Sequence, residues 1–310
     1  VEHPAMKDVL SPKEFAQAIG VSESSIKRWV DSGVIPASKT AGGHRRIEMG
    51  DAVRFLRDSK TPLLHPDVLG LSDVSALGGD LPIGDDLGET LFDFLRAGKA
   101  KHARGLIQSL YLNGRSIAQI IDGPVQMAMS RLGQIWFETQ EEVGIFQEHR
   151  ATDIAIQALT HLRLLIPNRE GAPVAVGGAP SGDPYLLPSL AAAAVLESRG
   201  LNAVNLGPET PLESLQLAAE SMNASLLWLS VTAIEDREAL QANLLELVEA
   251  LEDRGLPLVI GGQKADRLGL PDVPHLHVGT SMGELEALVK GLRLSAAESD
   301  SDNEVQAGAG

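Results

Sequence analysis

The stretch Leu226-Leu227-Trp228-Leu229-Ser230-Val231 decides how the second half of the chain folds. All but one of its residues are apolar, and a short uninterrupted apolar run is typical of a strand buried on both faces. Similar short runs lie before and after it, separated by segments whose apolar residues have helical spacing. Strands that alternate with helices in this way predict a parallel, doubly wound α/β sheet.

This α/β unit is predicted to cover residues 172–294. The predicted strands are 174–176, 203–206, 226–231, 258–261 and 275–278, and the predicted helices are 186–198, 212–222, 237–254 and 282–294. The residues that follow, 295–310, are small, acidic and rich in glycine, a composition that predicts a disordered tail.

Residues 87–168 have helical apolar spacing throughout, which predicts a four-helix bundle placed as a cap before the sheet. The predicted helices are 88–97, 99–113, 116–138 and 143–166. Residues 60–86 contain prolines and a glycine pair without a clear period, and they are predicted to be a linker.

Residues 8–59 predict a compact helical head. Ser11-Pro12-Lys13-Glu14 has the form of a capping box with proline at the first helical position, and this first helix is predicted to end at Gly20. A second helix is predicted from Ser22 to Gly33, with Ile26 and Trp29 facing inward. Two short helices joined by a tight turn are a helix-turn-helix, and the hairpin and short helix predicted after them form a wing.

Charge is distributed unevenly along the chain. The net charge is −16, yet the first 60 residues carry ten Lys and Arg against eight Asp and Glu. An acidic body repels DNA, so a nucleic-acid contact is expected only in the head, and oligomerisation would add affinity by combining several heads. The chain has no cysteine, which excludes disulfides and thiolate metal sites, and no apolar stretch long enough to span a membrane. A cytoplasmic location is expected.

The candidate DNA-binding residues are short polar and basic side chains, which read base edges and contact phosphates. They are Ser24, Ser25, Lys27 and Arg28 on the second helix, and Lys39, Thr40, His44, Arg45 and Arg46 on the wing. The alternative is that the head is a protein-interaction unit whose basic face is simply solvated.

The head resembles the winged helix of the MerR family. The resemblance rests on Leu10-Ser11-Pro12-Lys13-Glu14, Arg28-Trp29, Gly33-Val34-Ile35-Pro36 and Gly42-Gly43-His44-Arg45-Arg46-Ile47. It implies binding to double-stranded promoter DNA by a dimer or tetramer.

The α/β unit resembles the cobalamin-binding domain of CarH/LitR-type MerR regulators, whose pattern is Asp-x-His-x-x-Gly, then Ser-x-Leu, then Gly-Gly. Here Asp183, Ser230 and Gly261-Gly262 match it, whereas Tyr185 stands in place of the histidine that is the lower cobalt ligand. In that family the aspartate orients the imidazole, and the serine and glycines shape a slot for the nucleotide tail. Pro188 and Thr232 also depart from the pattern.

The bundle carries a related partial match. Trp136 and Glu148-His149 resemble the residues that cover the upper face of adenosylcobalamin in that family, but the interval between them is two residues longer and Phe137 follows the tryptophan. A two-residue insertion has to be absorbed in a loop, for which residues 141–144 are the candidate. The tentative pocket residues are Trp136, Phe137, Glu148, His149, Asp183, Tyr185, Ser230, Thr232, Gly261, Gly262, Gly279 and Thr280.

These resemblances imply a DNA-binding transcriptional regulator with a sensory and oligomerisation module that does not ligate cobalamin through a protein histidine. The cofactor implied by resemblance is adenosylcobalamin or another tetrapyrrole, with an empty scaffold as the other version. The alternatives are an adenosylcobalamin-dependent, light-responsive repressor and, from a different class, a corrinoid carrier of a methyltransferase. The chain shows no nucleophile, base and orienter set, so no enzymatic activity and no catalytic residue are expected.

Overall fold

The computed structural model of the protein describes residues 6–77, 86–139 and 142–292, without the side chains of residues 136–139 and 142–143. The predictions for Gly78-Gly79, Pro82 and the tail 295–310 lie outside the described residues.

The head is a helix-turn-helix with a small antiparallel sheet. Its elements are β1 (Val9–Leu10), α1 (Pro12–Ile19), α2 (Glu23–Asp31), β2 (Ser38–Lys39), β3 (Arg45–Glu48) and α3 (Met49–Ser59), with β3 between β1 and β2. The predicted capping box is present: the Glu14 amide donates to Ser11 Oγ at 3.3 Å, and the Ser11 amide donates to a Glu14 carboxylate oxygen at 2.8 Å. Gly20 ends α1 with φ of 73°, a conformation that favours glycine.

The apolar side chains of the head pack together and are continuous with the core of the bundle. Ile26 is fully buried, and the half-buried Trp29 packs against Phe55 with ring centroids 5.2 Å apart. The prediction that these two residues of the second helix face inward is therefore confirmed. Their burial leaves the opposite side of α2 free for other contacts.

Part of the segment predicted as a linker is ordered. A 3₁₀ turn (Pro66–Leu69) and a short helix, α4 (Ser72–Ser75), follow the head, and Leu69 and Leu71 are buried. The Asp73 carbonyl oxygen would lie 2.0 Å from a Cβ at Gly105, so the glycine allows α4 to lie against the bundle. Elements this short are too brief to show an apolar period, which is why the sequence did not reveal them.

The bundle contains α5 (Leu87–Arg96), α6 (Ala100–Leu112), α7 (Ile117–Ile120), α8 (Gln126–Thr139) and α9 (Glu142–Arg163). A π-helical turn (Ile121–Val125) joins α7 to α8, so the helix predicted over 116–138 is not regular along its length. Pro124 lies inside this turn, and a proline cannot donate the backbone hydrogen bond that a regular helix would require.

The remaining residues form a five-stranded parallel sheet with helices on both faces. Its elements are β4 (Val174–Gly178), α10 (Leu186–Ser198), β5 (Asn202–Asn205), α11 (Leu212–Ser221), β6 (Leu226–Ser230), α12 (Arg237–Glu252), β7 (Leu258–Gly261), β8 (Leu276–Val278) and α13 (Met282–Gly291). The strand order is β5-β4-β6-β7-β8, which is the flavodoxin-like doubly wound order. The predicted parallel α/β fold is confirmed. Connections leave the sheet in opposite directions at the carboxyl ends of β4 and β6, which is where ligands bind in sheets of this kind.

The bundle and the sheet share one apolar core. Residues Leu190 to Leu196 of α10 are all buried, as expected for a helix enclosed between the sheet and α9. The bundle also completes α13: the Asp122 carboxylate, in the π-helical turn, accepts hydrogen bonds from the Met282 and Gly283 amides at 2.9 and 2.8 Å. An acidic group suits a helix N-terminus because unpaired amides and the helix dipole meet there.

Candidate functional site

The first candidate site is the exposed side of α2 with the adjacent hairpin. The turn that begins α2 is organised by Ser22, whose Oγ accepts from the Ser25 amide at 3.2 Å and lies 2.8 and 2.9 Å from the Ser24 and Ser25 hydroxyls. Lys27 pairs with Glu23 at 2.8 Å one helical turn away, whereas Arg28 is exposed and makes no ion pair within the described ranges. Arg28 is therefore available for a ligand of opposite charge.

The wing is held at a defined position relative to α2. The Arg45 guanidinium binds the Asp31 carboxylate at the end of α2 through three contacts of 2.7 to 3.0 Å. A fork-to-carboxylate pair of this kind fixes orientation as well as distance. Arg45 was predicted to contact phosphates, and the structure gives it the additional task of tying the wing to α2. No sequence pattern pointed to Asp31, because the two residues are far apart along the chain.

The tip of the wing presents the other predicted residues. Thr40 closes the turn, since its Oγ1 accepts from the His44 amide at 3.2 Å and its own amide donates to the His44 carbonyl at 2.9 Å. Lys39, His44 and Arg46 are exposed. Neither Lys39 nor Arg46 forms an ion pair with any residue that the structure describes. Helix α2 thus offers Arg28, and the wing offers Lys39 and Arg46 from opposite faces of its hairpin, as cations unpaired within the described ranges.

The second candidate site lies at the carboxyl ends of β4 and β6, where the sequence placed the cobalamin-like motif. Asp183 is completely buried. One of its carboxylate oxygens accepts from the Thr232 amide at 2.5 Å and the Ala233 amide at 3.0 Å, and the other accepts from the Tyr185 amide at 3.1 Å. This carboxylate joins the loop after β4 to the loop after β6. It contacts the backbone of residue 185 rather than its side chain.

Tyr185 begins α10, and its side chain is 50% exposed at this edge. A phenol must lose a proton with a pKa of about 10 before it can bind a metal well, so it is a poor substitute for an imidazole. Ser230 is buried at the end of β6. The predicted pocket residues from the sheet domain thus lie near one edge, where the Asp183 carboxylate binds backbone amides, Ser230 is buried and the Tyr185 side chain is half exposed.

One glycine of the motif is needed by the protein's own backbone. Gly262 has φ of 103°, and a Cβ at this position would lie 2.4 Å from the Val231 carbonyl oxygen. A Cβ at Gly279 would lie 3.2 Å from a Glu284 carboxylate oxygen, which accepts from the Thr280 amide at 2.7 Å, and a Cβ at Gly261 would meet the Gly279 carbonyl oxygen only at 3.6 Å. Close packing within the chain therefore accounts for Gly262 without a ligand, but not for Gly261.

Trp228 is a buried residue of β6 near this edge of the sheet. It lies two residues before Ser230, hence on the same face of β6, and a Cβ added at Gly177 of β4 would lie 2.1 Å from its ring. The indole is 1% exposed, and its N–H is buried with no partner among the described residues. The resemblance places the slot for the nucleotide tail beside Ser230 and the glycine pair. On the face of β6 that carries Ser230, the indole therefore packs against Gly177 of β4.

Among the bundle residues of the predicted pocket, only Glu148 and His149 have described side chains, and their described contacts lie within α9. The side chains of Trp136 and Phe137 lie outside the described residues. Glu148 accepts from Thr152 Oγ1 at 2.8 Å within α9, and the adjacent His149 is largely solvent-exposed. Helix α8 ends at Thr139 and α9 begins at Glu142, so the longer Trp136-to-Glu148 interval spans a helix boundary.

Within the described ranges, no group of three or more His, Cys, Asp and Glu side chains is arranged to hold a metal ion. No helix in the same ranges is long and apolar enough to cross a membrane.

Known proteins match this chain at the level of one domain family and of the fold. Residues 9–59 match the family model of the helix-turn-helix domain. No curated protein matches the chain. Among solved structures, it is similar to the monomethylamine corrinoid protein of Methanosarcina barkeri, with 17% identity over 67% of this chain and 99% of that one and a TM-score of 0.49.

Two further solved structures are similar to this chain. A cobalamin-binding protein from Desulfitobacterium hafniense DCB-2 is 15% identical over 66% of this chain and 97% of that one, with a TM-score of 0.34. The methanol:cobalamin methyltransferase complex MtaBC of Methanosarcina barkeri is 15% identical over 68% and 83%, with a TM-score of 0.32. Residues 9–59 are thus a helix-turn-helix domain, followed in the same chain by a helical bundle and a parallel α/β sheet domain.

Proposed function

We propose that this protein is a transcriptional regulator that binds double-stranded promoter DNA through the face formed by α2 and the wing. The observation that carries the proposal is the helix-turn-helix domain of residues 9–59 with three exposed cations on α2 and the wing that are unpaired within the described ranges. These are Arg28, Lys39 and Arg46. The chain as a whole has a net charge of −16, so this concentration of unpaired positive charge distinguishes the head from an ordinary solvated surface.

The finer assignment is to a winged helix of the MerR type. It is supported by the segment Gly42-Gly43-His44-Arg45-Arg46-Ile47, which forms a hairpin tied to α2 by the Arg45–Asp31 pair. In this arrangement α2 would enter the major groove, while the wing would contact the flanking phosphates. The location proposed for such a protein is the cytoplasm.

We further propose that the bundle and sheet act as a sensory or assembly module without a histidine-ligated cobalamin. The support is Tyr185 in place of an imidazole, the Asp183 carboxylate saturated by backbone amides, and Trp228 on the face that would receive the nucleotide tail. Such a module regulates transcription instead of catalysing a reaction. A dimer or tetramer is proposed because one small head makes few contacts, and linked heads gain affinity through their effective concentration.

The experiment that tests the DNA-binding role is a selection of genomic fragments by the full chain, followed by fluorescence anisotropy on the recovered sequence. We expect a specific complex whose affinity falls steeply between 50 and 200 mM salt, since Lys and Arg contacts release counterions. The replacement Arg28→Ala should weaken it about tenfold. Recovery of no preferred sequence, together with a protein that is folded by circular dichroism, would refute the proposal.

Incubation with adenosylcobalamin in the dark tests the sensory module. If the module lacks a histidine-ligated cobalamin, desalting should remove the corrin absorbance, and light should leave DNA affinity unchanged. Retained corrin bands with a light-dependent loss of DNA binding would instead establish the light-responsive repressor.

A further inference from the structure

The head is docked on the body. The Leu64 and His65 amides both donate to the Ala18 carbonyl at the end of α1, at 2.9 Å. The next residues continue into the buried Leu69 and Leu71, and Asp73 then forms a well-buried ion pair with Arg104 of the bundle. Residues 64–73 thus bind the head at one end and the bundle at the other. A movement of the head relative to the bundle therefore has to break several of these contacts together.

A second set of contacts joins α3 directly to the body. A Cβ at Gly50 would lie 2.5 Å from Pro167 Cα, so the first turn of α3 touches the end of the bundle. Arg57 extends over the Tyr111 ring, with its Cζ 3.8 Å from the ring centroid. Its Nη1 donates to the Tyr111 carbonyl and, at 3.1 Å, to the Arg115 carbonyl at the end of α6.

A cavity of about 250 Å³ lies at this junction. Its walls come from three parts of the chain: α3 of the head, the end of α6, the start of α7 and the segment after α9 in the bundle, and the end of α10 and the middle of α13 in the sheet domain. A ligand in this cavity would touch the DNA-binding head and the sheet domain at once. This position sets it apart from the carboxyl edge of the sheet.

Two guanidinium groups in the cavity wall have no carboxylate partner. Four arginines line the cavity. Arg54 pairs with Asp51 at 2.7 Å, and Arg199 pairs with Glu286 at 2.7 Å. The other two, Arg57 and Arg169, make no ion pair with any residue in the described ranges.

The other acids of the wall do not neutralise both groups. Glu197 is paired with Arg163, which leaves Asp58 beside Arg57, while Asp51 lies near Arg169 as well as near its partner Arg54. Arg57 uses only Nη1 on protein carbonyls, so its Nε and Nη2 have no acceptor in the described part of the chain. The Arg169 guanidinium lies against Gly200 at the end of α10, with Nη1 3.1 Å from the position of a Cβ. Planar guanidinium groups bind the oxygens of phosphate and carboxylate groups through paired hydrogen bonds.

We propose that this junction cavity is an effector site for a small oxyanion, a metabolite bearing a phosphate or carboxylate group, held between Arg57 of the head and Arg169 of the body. The regulatory consequence rests on the proposed DNA-binding function, whereas binding of the anion does not. A bridging anion links α3 to α10 and fixes the docked orientation of the head. The protein thereby senses a ligand at the seam between its DNA-binding and sheet domains.

Isothermal titration of the full chain with inorganic phosphate, without DNA and at constant ionic strength with chloride, tests the site. We expect one saturable phosphate per chain with a dissociation constant below about 10 mM, and at least tenfold weaker binding after Arg169→Ala. The matched control is Arg267→Ala, which removes an exposed arginine from the far side of the sheet domain and should leave the affinity unchanged. Arg57→Lys keeps the charge but loses the planar fork, and it should weaken binding several-fold.

Absence of saturable binding, or equal phosphate affinity in the wild type and Arg169→Ala, would overturn the proposal. The phosphates of bound DNA offer the same chemistry. If they were the occupant, Arg169→Ala would weaken the DNA complex while the free protein bound no phosphate, and this outcome also counts against a free effector. If phosphate binds as expected but no DNA sequence is preferred, the effector site stands and the regulatory function fails.

Discussion

The head and the carboxyl edge of the sheet domain both carry residues that match a functional pattern, but the protein uses these residues differently. In the head, Arg28 and Arg46 are exposed and unpaired within the described ranges. At the sheet edge, the Asp183 carboxylate is buried and accepts three backbone hydrogen bonds, and Gly262 accommodates the Val231 backbone. A pattern in the sequence therefore persists either because its side chains face a ligand or because the fold needs them, and only the contacts distinguish the two.

The sharpest way to break this comparison is Asp183→Ala. The change removes the acceptor of the Thr232, Ala233 and Tyr185 amides and leaves donors unpaired in a buried site, so we expect about 3 kcal/mol lower free energy of unfolding. Urea denaturation followed by circular dichroism measures it. The control is Asp236→Ala, which removes an exposed helix cap that accepts from the Ala239 amide at 3.0 Å and should cost about 1 kcal/mol. Equal losses would show that Asp183 has no special structural role.

The next largest effect is expected in the head. The double change Arg28→Ala with Arg46→Ala should weaken the DNA complex about 100-fold, because two unpaired cations are lost, and should leave the unfolding free energy within about 0.5 kcal/mol. Fluorescence anisotropy and urea denaturation give the two values. Arg254→Ala with Arg267→Ala removes the same charge from the sheet domain and serves as the control. A similar loss of affinity in both pairs would mean that net charge, not the α2 and wing face, controls binding.

The sequence was more informative about elements than about these roles. The limits of α10 and β7 match their predicted ranges, since apolar runs between turn residues are local signals. The order near Leu69 and the bonds of Asp183 depend on partners far along the chain, which one sequence does not reveal, whereas the π-helical turn has a local cause in Pro124. The identity of Tyr185 can be read directly from the sequence. The packing of the Trp228 indole against Gly177 of the neighbouring strand is visible only in the structure.

A smaller effect should appear in the acid stability of the head. The Lys7 side chain, followed by the Ser11 amide, lowers the Glu14 pKa from 4.5 to about 2. Because the folded-state pKa is depressed, this stabilisation is complete above about pH 4.5 and is lost as the pH falls through about 2. The side chain is about one third exposed, so solvent screening reduces the contribution to about 1 kcal/mol.

Denaturation of Glu14→Gln and the wild type at a series of pH values tests this contribution. The difference between them should be present at pH 6 and shrink towards pH 2. Glu48→Gln, at the exposed start of α3 where its side chain makes no capping bond, is the control. A constant Glu14→Gln difference across the range would contradict the pKa assignment.

The smallest effect is expected from restoring the missing imidazole. Tyr185→His should change cobalamin affinity less than twofold, because Asp183 is engaged by backbone amides and the Trp228 indole fills the neighbouring face. Corrin absorbance retained after desalting is the measurement, with Tyr185→Phe as the control for loss of the phenol. A tenfold gain in the histidine variant alone would show that the sheet edge has kept a working pocket.

The carboxylate of Asp122 has a consequence for attempts to divide this protein into pieces. It lies in the bundle, yet it supplies the acceptors for the Met282 and Gly283 amides that begin α13, 160 residues further along the chain. A fragment that starts after the bundle would expose the first amides of its last helix and one whole side of α10. When the sheet domain is expressed alone, we therefore expect the first turn of α13 to be disordered and the apolar side of α10 to be exposed and prone to aggregation. We expect the smallest autonomous folding unit to extend from the bundle to the end of α13.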